Sequence, residues 1–104
     1  MAWFTNGILT NPAINTILAD SGALPEAGGP VSTRVIVSST VICAPILELR
    51  DAANSANISS QAFILAANTS LEIELPITWA AGERMRVRLN AAITGLIQVS
   101  IITS

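Results

Sequence analysis

The residues best placed for chemistry lie in one stretch, "LEIELPITWAAGERMRVRLN", residues 71–90. It carries Glu72 and Glu74, then Arg84, Arg86 and Arg88, at alternate positions. Carboxylates two apart on a strand share a face. Two facing carboxylates are the equipment of a glycoside hydrolase, one acting as acid and the other as base or nucleophile. Three guanidinium groups in a row suit phosphate or carboxylate. Both chemistries have a structural competitor. A hairpin centred near Ala80 sets Glu72 against Arg88 and Glu74 against Arg86. The same register sets Leu71 against Leu89, Ile73 against Val87 and Leu75 against Met85. A slip of one residue would ruin both rows. Cross-strand ion pairs of this kind contribute about 0.2–1 kcal/mol each. An arginine opposite each glutamate also lowers its pKa, which makes it a poor general acid. In this register Arg84 falls opposite Pro76 and is left over. It is the arginine expected to reach a carboxylate of another chain, Glu83 or Asp51.

The rest of the sequence offers catalysis little. There is no histidine, so the commonest general base and metal ligand are missing. No nucleophile elbow, phosphate loop or dinucleotide fingerprint is present. Asp20, Glu26 and Asp51 lack calcium-loop spacing. The expectation is therefore no enzyme, no metal and no cofactor. Cys43 is the single cysteine; within "VICAP" it reads as a small buried hydrophobe. The net charge of -2 and the absence of lysine argue against nucleic acid as a partner. No apolar run reaches the length of a membrane span, and no charged segment followed by an apolar one marks a secretory leader. Neither a membrane nor export is expected.

Composition points to packing. The chain has 104 residues, 51% hydrophobic and only 12% charged. That length fits one domain with a modest core. A surface this poor in charge repels neighbours weakly, which suits a protein packed against other chains. A small apolar β domain with a polar, uncharged face would read the same way.

Two segments follow from the local pattern. Residues 1–30, punctuated by Asn11-Pro12, Ser21-Gly22 and Gly28-Gly29-Pro30, read as an N-terminal arm, an extended strap across the chain's own sandwich or a neighbouring subunit, or equally as an ordered coil on its own domain. Within it, "NPAINTILAD" predicts a short helix, with Asn11 as N-cap, Pro12 at the first helical position, and Ile14, Ile17 and Leu18 on one face. Residues 31–104 read as about seven or eight short strands separated by turns. The expected fold is all-β: an antiparallel β-sandwich or jelly-roll-like domain carrying that arm. Ile36 stands out as an apolar residue on the otherwise polar row of its strand. Either both faces are covered there or the strand bends.

Interface candidates are the apolar groups that the arm must cover or present, Trp3, Phe4, Ile8, Ile14 and Leu24, together with Trp79 and Arg84 at the end of the charged hairpin. Trp79 has three readings: a cap on the core, an interface anchor, or a sugar platform.

The run from residue 46 to residue 103 resembles small β-sandwich virion proteins of tailed bacteriophages. The likeness rests on an apolar strand from Phe63 to Ala66, an "L-x-I-x-L-P" strand from Leu71 to Pro76, an "AGER-h-R-V" turn and strand from Ala81 to Val87, and a "TG-x-h-x-V-S" hairpin from Thr94 to Ser100. The resemblance implies a capsid decoration or cement protein, located on the capsid surface of the virion. It implies a homotrimer that binds the major capsid protein, with its N-terminal arm reaching onto neighbouring subunits. No catalytic residue comes with it. The alternative is a carbohydrate- or receptor-binding β-sandwich module of a phage neck or tail.

Overall fold

The fold was obtained as a computed structural model, which describes residues 2–103. Eight strands follow one another: β1 (Ala2–Thr10), β2 (Ile17–Asp20), β3 (Gly28–Ser39), β4 (Pro45–Arg50), β5 (Asn57–Ala62), β6 (Thr69–Trp79), β7 (Arg84–Leu89) and β8 (Leu96–Thr103). They form two four-stranded sheets. Sheet A has the order β1-β8-β3-β6 and sheet B the order β2-β7-β4-β5. All pairings are antiparallel. Only β4 and β5 are successive strands paired with each other; every other connection crosses from one sheet to the other. Both sheets are open, and among the described residues no barrel closes.

Alternation explains the core. In β7, Met85, Val87 and Leu89 are fully buried while the arginines between them face outward. In β3, Thr33, Val35 and Val37 are buried; in β8, Ile97, Val99 and Ile101. With Leu18, Leu47 and Leu49, the valines and isoleucines among these draw both sheets into one buried cluster. Burying a side chain of this size contributes about 1.5–3 kcal/mol.

The expected arm with a helix is not what forms. Among the described residues there is no helix. β1 pairs with the last strand from Ala2–Thr103 to Thr10–Leu96, and β2 pairs with β7. Leu18 and Ala19 lie in the core. Residues 2–30 thus contribute strands to both sheets, and the expected boundary at 30/31 falls inside β3. The physical reason lies in two asparagines of the expected helix, one at its start and one within it. Asn11 and Asn15 both sit at positive φ, 47° and 66°, the left-handed region that asparagine tolerates and that ends a right-handed helix. Asn11 also exchanges backbone bonds elsewhere: its N–H donates to Gly95 O at 2.8 Å, and its Oδ1 accepts from Gly95 N at 2.8 Å. The side chain expected to cap a helix ties the end of the first strand to the connection just before β8 instead.

Candidate functional site

The charged rows are arranged differently from the expected hairpin. β6 and β7 belong to different sheets, so Glu72–Arg88 and Glu74–Arg86 are not partners. β6 pairs with β3, which sets Glu74 opposite Arg34 and Glu72 opposite Ile36. Glu72 takes a 3.5 Å ion pair from Arg34, with both groups largely in water. Ser32 Oγ donates to Glu74. The turn after Trp79 is tight, with Glu83 N–H donating to Ala80 O at 3.2 Å, but it leads from one sheet to the other and engages another segment. Gly82 N–H donates to Leu24 O at 2.7 Å, Leu24 N–H donates to Glu83 O at 2.9 Å, and Trp79 Nε1 donates to Glu26 O at 2.9 Å.

The arginines of β7 find their partners in strands β4 and β2. Glu48, on β4, is 1% exposed although it lies on the outer face of sheet B. Arg86 Nε donates to its Oε1 at 2.7 Å. Arg88 Nε and Asn57 Nδ2 donate to its Oε2 at 3.2 and 2.8 Å. Burial alone would push this carboxyl's pKa up. The hydrogen bonds from Arg86, Asn57 and Arg88 outweigh that and hold it below the usual carboxylate range. Arg88 Nη1 also donates to Asn15 Oδ1, and Arg50 donates to Asn54 and Asn57. Arg84, expected to be free, lies 3.4 Å from Asp20 of its own chain. The contact is electrostatic; the buried Nε has no hydrogen-bond geometry toward any acceptor. One polar network therefore links β7, β4 and β5 and reaches Asn15 in the turn before β2, while the Arg84–Asp20 pair stands apart from it. Its arginines are already engaged, which makes it a register lock.

The outer face of sheet A has the opposite character. The register places Trp3 beside Ile102, Thr5 beside Ser100, Ile8 beside Gln98 and Thr10 beside Leu96. On β3, Ile36 lies beside Ser100 and Ser38 beside Gln98. Residues directly opposite one another share a face. Neither β1 nor β8 carries a charged residue, and the charges of this face, Arg34, Glu72 and Glu74, are confined to the β3–β6 side. Trp3, Ile8 and Leu96 are 65%, 66% and 44% exposed. A shallow concavity of 380 Å³ opens on this surface, lined among others by Ile8, Leu96, Gln98, Ser38, Ser70 and Thr40. Its lining has no aromatic ring on which a sugar could stack and no charged group.

The seven interface candidates do not share one surface. Trp3 and Ile8 lie on the outer face of sheet A. Phe4, Leu24 and Trp79 are half-buried against the core. Ile14 is exposed in the turn between β1 and β2, and Arg84 belongs to sheet B. Trp79 packs its ring against the edge of the core and donates to Glu26 O. Ile36, Leu96 and Ile102, which complete the apolar face, were not among the candidates. The signal for Ile36 was its place on a polar row. Among the described residues, no cluster of three or more acids and cysteine could hold a metal ion. No protein-family model and no curated protein matches this chain.

Proposed function

We propose that this protein is a non-enzymatic structural component of a bacteriophage virion, a decoration or cement protein that binds the capsid. The observation that carries the reading is the uncharged outer face of β1 and β8, where Trp3, Ile8 and Leu96 stand in water among hydroxyl and amide groups. Exposed apolar patches of this kind mark sites of protein–protein contact. An aromatic anchor on a surface depleted of charge is the composition of an interface centre. The resemblance of residues 46–103 to small phage virion proteins supplies the partner, the major capsid protein. Many weak contacts on a repeating lattice would sum to firm attachment.

The test is co-sedimentation of the purified protein with shells assembled from a tailed-phage major capsid protein. The unsubstituted protein should sediment with the shells. Trp3→Glu combined with Ile8→Glu should keep the fold, because both side chains are exposed, and lose binding by about tenfold or more. Failure of the unsubstituted protein to bind any such shell would overturn the reading. Undiminished binding by the double variant would move the contact off sheet A.

A further inference from the structure

The two sheets have four edge strands, and the chain protects three of them. β6 presents Glu72, Glu74 and Pro76. β2 has only four residues, an irregular register, and Asp20 at its end. β1 is bent where its register shifts between Thr5 and Ile8, around Gly7 at φ 78°. Charges, proline, short length and bulges are the devices that keep an edge from pairing with another chain.

β5 is left open. All six of its residues are exposed, and the sequence from Asn57 to Leu65 has neither charge nor proline. Its one irregularity, opposite Leu49 and Arg50, lies at its start. Leu65 exchanges both backbone bonds with Cys43, and Phe63 N–H donates to Pro45 O. The same alternation carries on through Gln61–Leu47 and Ser59–Leu49. In an antiparallel ladder the intervening residues turn their N–H and C=O groups the other way. Ser60, Ala62 and Ile64 therefore offer a regular row of backbone groups to the outside. The Ala62 carbonyl meets only the exposed Gln61 side chain, at 3.3 Å.

The core is also open on this side. Inward residues of β6 (Leu71, Ile73, Leu75 and Ile77) are only partly buried. A 190 Å³ cleft lined by Leu47, Leu49, Met85, Leu75 and Ile77 runs out past β5. A cover for this side has to continue sheet B, tolerate an uncharged edge, and shield an apolar cleft.

We propose that β5 is a self-pairing edge and that its partner is a second copy of this chain. Two copies join antiparallel about a two-fold axis at Ala62. Ala62 faces Ala62 of the other copy, Ser60 faces Ile64, and each such pair exchanges both backbone bonds. The two copies of sheet B become one continuous sheet. The contact is isologous, as a two-fold requires. It brings no like charges together along β5, because none are there; β6, with Glu72 and Glu74, would not allow the same. This pairing is independent of the virion role and uses a different surface from the outer face of sheet A. It gives a two-fold pair in place of the three-fold assembly that the resemblance implies.

Light scattering of the full chain in solution is the first test. The expected mass is twice the 10.8 kDa of one chain. Ser60→Lys with Ala62→Lys puts like charges across the axis and should weaken the dimer by about tenfold or more. Thermal unfolding of the dissociated variant separates loss of pairing from loss of fold. A variant that preserves the edge settles the register: Ala62→Cys should form a covalent dimer on mild oxidation, because its Cα spacing across the axis suits a disulfide. Ser60→Cys, which faces Ile64, should not. A monomeric or trimeric mass, a dimer indifferent to the lysines, or no cross-link at Ala62→Cys would each overturn the proposal. None of these outcomes bears on capsid binding.

Discussion

Arg86 and Glu48 meet across β7 and β4 at 2.7 Å, and the carboxylate they share with Arg88 is almost completely buried. A buried ion pair is weak evidence for stability, since desolvation offsets much of the attraction. Removing one member is another matter, because the remaining charges stay where they were. Glu48→Ala would leave Arg86 and Arg88 facing each other with no anion, and would strip Asn57 of its acceptor. The arginines keep some access to water, which moderates the loss. We expect a destabilisation of about 3 kcal/mol, read as a lowered urea midpoint with an unchanged slope. A variant as stable as the unsubstituted chain would show that the network contributes nothing net.

The same carboxylate sets the acid limb of stability. Its folded-state pKa is depressed below the ordinary carboxylate value, the hydrogen bonds outweighing burial. A depressed pKa stabilises the fold above the unfolded value, and that stabilisation is lost as pH falls through the folded one. Asp51 is shifted in the same direction by the Ser55 backbone and hydroxyl donors. With no histidine in the chain, stability should be flat from about pH 5.5 to 8. It should fall below about pH 4, where the unfolded carboxylates take up protons. Urea midpoints across that range test this. In Glu48→Gln, the acid decline should be shallower, because one of the responsible groups no longer titrates.

Gly28 and Gly29 carry a third expectation. A Cβ at Gly28 would run into the Trp79 ring, and one at Gly29 would meet the backbone of Ile77 and Thr78. Gly29 also has φ 102°, where a side chain is strained. Gly28→Ala should displace the indole, break its bond to Glu26 O, and shift Trp79 emission to the red, measured in a Trp3→Phe background. Gly29→Ala should cost more stability than Gly28→Ala, because the obstacle is backbone and not a ring that can turn. The reverse order would show that the Trp79 cap is the more rigid feature.

What was legible in the sequence was local. Alternation in "RMRVRL" marked the buried and outward rows of β7 correctly, because side-chain period follows from strand geometry alone. The partners of those rows were not legible. Several antiparallel registers satisfied charge and apolarity at once, and the hairpin about Ala80 was one that the chain does not use. Its crossing connections send Glu72 and Arg88 to different sheets. Glu48 was hidden for a related reason: in "PILELR" it is a lone acid between Ile46 and Arg50 on its row, and only the apposition of β7 and Asn57 buries it. Asn11 shows a third limit. Asn-Pro opens a turn as readily as a helix, and the choice was made by Gly95, 84 residues away.

The strongest departure from the arm concerns truncation. An arm could be removed with the domain intact. The observed first strand holds the β8 edge through a ladder from Ala2 to Thr10, and Leu18 and Ala19 of β2 are at 1% and 0% exposure. Deleting residues 1–28 would uncover Leu89, Val87 and Met85 along the β2 side of β7. It would also free the backbone groups of β8 and remove Asp20 from Arg84. Losing Leu18 alone should cost about 2–5 kcal/mol, which is comparable to the whole stability of a domain this size. The truncated chain should therefore be unfolded or aggregated, with no cooperative thermal transition by circular dichroism. Deleting only residues 1–10 should leave a weaker but cooperative fold, since Asn11 and β2 remain in place. If the longer truncation melts cooperatively near the temperature of the full chain, the first two strands contribute little to the core.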